Sequence, residues 1–143
     1  MSKLVDIYDR LEKANVNVYE LQNGKELKAV AFNSPNDTFS IGLYENLIKS
    51  EADELCTLAE EEAHYVVGII PNDIESNSYL DVVTRRKNEI RAKKYAIRNL
   101  IPKDKLFRKL KNTSYLDIED LASDFEVTTQ FMQEALKIYE VIN

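Results

Sequence analysis

The sequence predicts an α+β fold, with a small, mostly antiparallel sheet packed on one carboxylate-rich helix and a helical C-terminal half. Three observations point to it. Residues 15–21 and 27–32 have strand character and flank Asn23-Gly24, a strong reverse-turn signal. From Ser50 onward the apolar residues recur every three or four positions, which is the period of a helix. Between the two regimes lies Leu58 to Gly68, LAEEEAHYVVG, where three consecutive carboxylates crowd the only histidine.

The elements follow in order. Leu4, Ile7, Tyr8 and Leu11 share one face of an amphipathic helix over 3–13. Asn15 to Leu21 alternates as a strand, Leu27 to Phe32 supplies a second, and Thr38 to Ile41 a third after the turn at Asn33 to Asp37. Gly42 to Lys49 leads onward as a loop or a short helical turn. Ser50 is the expected N-cap of the next helix, with Asp53 in the place where a capping box normally has Glu or Gln. That helix runs to Val67 and stops at Gly68. Leu55, Leu58, Ala59, Ala63 and Val66 face the core, Glu60 and His64 lie at its border, and Glu51, Glu54 and Glu62 face solvent.

Ile69 to Thr84 has no period, and its Pro71-Asn-Asp and Ser76-Asn-Ser segments are loop chemistry, suited to a cleft wall, a lid or a plain surface excursion. A helix over 85–100 puts Glu89 on the same line as Ala92, Ala96 and Leu100. Pro102 ends it and opens another, whose apolar face is Leu106, Phe107 and Leu110. After a turn at Asn112 to Ser114, Asp117 caps a short helix through Leu121 and Ala122. Thr128 caps the last one, with Phe131, Met132, Ala135, Leu136 and Tyr139 inward.

The whole chain, 1–143, has the size of one domain, read as a core over 1–111 with a helical tail over 112–143. With 44% hydrophobic and 31% charged residues it has the composition of a soluble globular protein. Neither an apolar run of membrane-spanning length nor a secretory signal is visible, and Cys56 is the single cysteine, so a cytoplasmic protein without internal disulfides is expected. The net charge of −6 is unevenly spread: residues 85–111 hold 12 basic side chains against 2 acidic, and the flanking segments are acidic. That basic stretch suits either an acidic partner or nucleic acid, or simply the solvated faces of two helices.

The chemistry concentrates in Glu60, Glu61 and His64. Glu60 and His64, four apart, project from one helix face one turn apart and could grip a divalent ion, with Glu61 next to them. EEEAH would be the zinc-peptidase motif H-E-x-x-H if residue 60 were histidine. The same residues also fit a core histidine bonded to a carboxylate. Cys56, one turn earlier, fits a ligand or a small buried side chain. Glu89, on an inward line, fits a metal, a buried salt bridge, or a half-exposed helix start where acids are favoured, and all three stay open.

LAEEEAHY, followed by Glu89-Ile-Arg-Ala-Lys-Lys-Tyr-Ala96 and Leu100-Ile-Pro102, resembles the ImmA/IrrE family of small metallopeptidases, in the short form of prophages and mobile elements. The resemblance implies a zincin-like metallopeptidase fold and one zinc per chain. It implies that Glu60, His64 and Glu89 are the ligands and that Glu61 is the general base. Tyr95 stands where the family has phenylalanine, and Glu60 where it has histidine. The implied substrate is a protein or peptide, specifically the phage-type transcriptional repressor of the same element, held as an added strand beside the metal helix. LASDFEVTTQFMQEAL resembles the helix-turn-helix-like tail of that family. The tail's acidic balance argues against direct DNA binding by it.

Two other functions compete with a zinc endopeptidase. One is a catalytically inactive protein of the same fold that binds the repressor. The other is a nucleic-acid-binding regulator acting through residues 85–111. The sequence leaves the oligomeric state open.

Overall fold

A computed structural model describes residues 2–68, 79–113 and 117–141, with the backbone alone for 79–82. In chain order these form α1 (Lys3–Lys13), β1 (Asn17–Leu21), β2 (Ala29–Asn33), β3 (Phe39–Tyr44), a 3-10 turn (Glu45–Leu47), α2 (Glu51–Val67), α3 (Tyr79–Leu100), α4 (Lys103–Asn112), α5 (Ile118–Asp124) and α6 (Thr129–Ile138). The fold is α+β and mostly helical, as expected. The expected loop at 69–78 lies outside the described residues, and 79–84 belongs to α3.

The sheet is mixed. Its order is β1-β3-β2, with β2 antiparallel to β3 and β1 parallel to it, so Asn23-Gly24 does not join neighbouring strands. The connection instead crosses the end of β3 and is pinned there. Gly24 donates its amide to Asn46 Oδ1 at 2.9 Å and accepts from Asn46 Nδ2 at 2.8 Å. A Cβ on Gly24 would lie 2.5 Å from both Cβ and Cγ of Tyr44, so only glycine lets the chain pass this close. The third strand continues through Gly42 to Tyr44, beyond the expected end at Ile41, because Gly42 and Leu43 pair on both sides.

Caps set the ends of α2 as the sequence predicts. Ser50 Oγ accepts from the amide of Asp53 at 3.1 Å, and Asp53 Oδ2 accepts from the amide of Lys49 at 3.0 Å. Gly68 closes the helix in the left-handed region at φ 80°. Thr128 caps α6 through the amide of Phe131, and Asp117 caps α5 through the amides of Glu119 and Asp120.

One apolar core joins all these layers. It contains Ile7 and Leu11 of α1, Ile41 and Leu43 of β3, Leu55, Leu58, Ala59 and Ala63 of α2, and Ala92, Ala96 and Ile97 of α3. Leu106 comes from α4, Leu121 from α5 and Met132 from α6. Two side chains expected inside are largely outside: Val66, near the C-terminal end of α2, and Phe107 on α4. Phe107 packs edge-on against Tyr139, with Lys103 over its ring. Among the described residues, no helix is long and apolar enough to cross a membrane.

Candidate metal centre

Two helices build the site. α2 carries Glu60, Glu61, Glu62 and His64, and α3 packs against it, with Ala59 and Ala63 of the one and Ala92 and Ala96 of the other all buried in the core. Close approach of the two backbones brings long polar side chains of one helix within reach of the other.

His64 bridges the helices. Its Nε2 is 3.0 Å from Glu89 Oε2, and its Nδ1 is 3.3 Å from Glu61 Oε2. With a carboxylate at each ring nitrogen, the imidazole is raised to a pKa of about 9. The hydrogen bond to Glu61 does most of this, and the charges of Glu61 and Glu89 add to it against the opposing effect of burial. His64 is therefore an imidazolium at neutral pH, and Glu61 fixes its orientation from behind, as a carboxylate does for a metal-binding histidine. Glu89 is not on the buried line expected for it. Its side chain is 59% exposed, at the mouth of the helix pair, while Ala92, Ala96 and Leu100 go inside.

Glu60 turns the other way. It accepts a short hydrogen bond from Lys93, one turn beyond Glu89 on α3, and the same ammonium lies 2.6 Å from Glu134 Oε2 on α6. Burial alone would lower the pKa of Lys93, but its bonds to Glu134 and Glu60 raise it. Glu134 Oε2 is shut off from solvent without an aligned hydrogen bond, so the ammonium's charge is what satisfies it. This triad edges a polar cavity of about 190 Å³ between α2, α3 and α6, with Lys28 and Asp53 at its other end.

Glu62 corrects a sequence expectation outright. Instead of facing solvent it is 6% exposed, gripped by Arg10 Nε and a second guanidinium nitrogen at 3.0 Å each, and by Asn99 Nδ2 at 3.2 Å. Glu54 likewise has a partner, accepting from the Tyr8 hydroxyl, whereas Glu51 is exposed as expected. Cys56 is buried away from His64, near Thr128 Oγ1 at 3.9 Å, and burial pushes its thiol up to about 11. It is a core residue.

The structure thus brings Glu61, His64 and Glu89 together and leaves Glu60 on Lys93. Among the described residues, no three His, Cys, Asp or Glu side chains form a metal-holding group. The donor set nevertheless suits a zinc-type ion, because His64 Nε2 and Glu89 Oε2 already face one another with Glu61 behind the ring. Glu60 would have to leave Lys93 to join such a set, and Lys93 would then keep Glu134 as its counterion. Sequence reasoning missed Lys93, Glu134 and the Arg10–Glu62 clamp. The signal available was a lysine one turn after Glu89, on a helix whose Arg91, Lys94 and Arg98 are exposed.

A helix-borne E-E-x-x-H facing a carboxylate of the next helix, beside a small mixed sheet, is the layout of a zincin-like metallopeptidase. The family model for the IrrE N-terminal-like domain, a peptidase family, matches residues 11–137, and the chain belongs to that family. No curated protein and no solved structure gives a significant match.

Proposed function

We propose that this chain is a zinc-dependent endopeptidase acting on a protein substrate, specifically a DNA-binding repressor of a phage or mobile element. The observation that carries the reading is the 3.0 Å approach of His64 Nε2 to Glu89 across α2 and α3, with Glu61 on the far ring nitrogen. Glu60, His64 and Glu89 would hold the ion, and His64 must lose its Nε2 proton for it to enter. A bound zinc would supply a Lewis acid and an acidified water. Glu61 would take the proton of the attacking water and return it to the leaving amine, a role that requires its carboxylate to leave the Nδ1 side of His64 for the Nε2 side.

The donor set also predicts slow chemistry. Two carboxylates and one imidazole place more negative charge on the ion than two imidazoles and one carboxylate, which weakens it as a Lewis acid. Turnover of generic peptides at neutral pH is expected to be slow, and that of the cognate repressor faster.

A second reading has its own support. Glu60 tied to Lys93 rather than facing His64 fits a catalytically inactive member of the fold that binds the repressor. Metal content separates the two. Protein purified without chelator is expected to carry about one zinc per chain and to lose it in Glu89→Ala, with three protein ligands being the usual catalytic complement. No zinc in the native chain, even after addition of excess, favours the binding protein.

A further inference from the structure

The Lys93 ammonium sits between two carboxylates from two different helices, Glu60 of α2 and Glu134 of α6, while Lys93 itself belongs to α3. Neither partner is a local i,i+4 neighbour. The arrangement therefore exists only in the folded protein, and it selects one direction for Glu60 out of those open to a half-exposed glutamate. From the same position on α2, Glu60 is one helical turn from His64, whose Nε2 meets Glu89. Glu60 thus stands one helical turn from a pair that could hold an ion, while its carboxylate is engaged by an ammonium built into the chain.

We propose that Lys93 is a latch on the metal centre, a positioning residue that holds Glu60 away from the His64–Glu89 pair and competes with the bound ion for that carboxylate, while Glu134 sets the strength of the competition. This rests on the zinc-site reading above and adds to it a residue that controls how readily the site fills. The physical argument concerns what each group keeps when Glu60 leaves. Lys93 retains Glu134 at 2.6 Å, so releasing Glu60 does not strand a half-buried ammonium. Glu60 exchanges one cation for another and is not stranded either. Glu134 is the lever: with it present, Lys93 holds Glu60 with part of its charge; without it, Glu60 is the ammonium's remaining partner in the triad and the latch tightens.

The two ends of the latch therefore act with opposite signs, as any two opposite charges near a cation would, and the mark of the latch is that the Glu134 effect vanishes once Lys93 is gone. Isothermal titration of the full-length protein with zinc alone is the test. Lys93→Met frees Glu60 and is expected to tighten zinc binding by roughly two- to fivefold, the scale of one half-exposed ion pair. Glu134→Gln is expected to weaken it by roughly threefold on the same scale. In the Lys93→Met background, Glu134→Gln is expected to change nothing beyond twofold, because its effect travels through the ammonium. Lys93→Gln, which keeps a donor for Glu134, gives the same sign as Lys93→Met and covers the case in which the methionine variant fails to fold. Melting curves with and without zinc provide a second readout, since zinc should raise the midpoint of Lys93→Met more than that of the native chain.

Zinc affinity unchanged or reduced in both Lys93 variants, with binding still abolished by Glu89→Ala, overturns the latch and leaves the metal centre standing. Additive effects of Lys93→Met and Glu134→Gln also overturn it, reducing both to long-range charge. No zinc binding by the native chain or by either Lys93 variant overturns the metal centre and the latch together.

Discussion

Glu60, Glu61 and Glu62 are chemically identical neighbours with three different fates, and what separates them is the partner each finds on another element. Glu62 is buried because Arg10 meets it with two nitrogens and Asn99 adds a third bond; the pairing also raises the Arg10 pKa, chiefly through the hydrogen bond to Glu62. That fate was illegible in the sequence, since Arg10 lies 52 positions away and a glutamate in EEE looks solvated by default. Spacing pointed to Glu60 as the partner of His64, whereas the ring meets Glu61, three residues before it. The pairing of His64 with Glu89 was legible because a carboxylate recurs on the small-residue helix that can approach it. The turn of Glu60 toward Lys93 was not, because it depends on Glu134 arriving from α6. One prediction belongs at this scale. Arg10→Met leaves Glu62 buried with a single neutral donor, and it is expected to destabilise the fold by about 2–3 kcal/mol in urea unfolding. Glu51→Gln, at an exposed position on the same helix, should shift stability by less than about 0.5 kcal/mol.

Helix ends were the most legible feature at the scale of the element. Ser50 with Asp53, Gly68, Asp117 and Thr128 were each identifiable, because a cap is a local bargain between one side chain and amides two or three residues on. The sheet was legible strand by strand but not in its order. Asn23-Gly24 has the chemistry of a hairpin turn, yet the bonds from Gly24 go to Asn46 rather than across a two-stranded ladder. Which edge of β3 receives β1 is a matter of tertiary context, which local propensity does not encode. Gly24→Ala drives a methyl group into Tyr44 near its backbone, and it is expected to cost about 2 kcal/mol by overpacking. Gly68→Ala meets no neighbouring atom and suffers only the left-handed φ, so about 1 kcal/mol is expected there. Chemical denaturation of the two variants side by side tests that order.

Across the whole molecule, one lysine fastens the N-terminal helix to the C-terminal half. Lys3 Nζ donates to the carbonyl of Leu100 at 2.7 Å and to that of Phe125 at 2.8 Å, and it lies 5.1 Å from the centre of the Phe125 ring. Those carbonyls end α3 and α5, where helix dipoles present negative charge, so a single cation serves two helix termini. Burial lowers the Lys3 pKa, against the opposing charge of Glu126. Lys3→Met is expected to cost about 2 kcal/mol and to speed amide exchange selectively in α5 and α6, as read by exchange mass spectrometry. The mixed sheet has a kinetic corollary. β2 and β3 are joined by the short turn at 34–38 and can zip together as a local hairpin, whereas β1 must wait for β3 to exist before it has anything to pair with. The N-terminal strand, first off the ribosome, is then the last of the three to find its place. Destabilising substitutions in the β2–β3 ladder should slow refolding in stopped-flow traces, and those in β1 should mainly hasten unfolding.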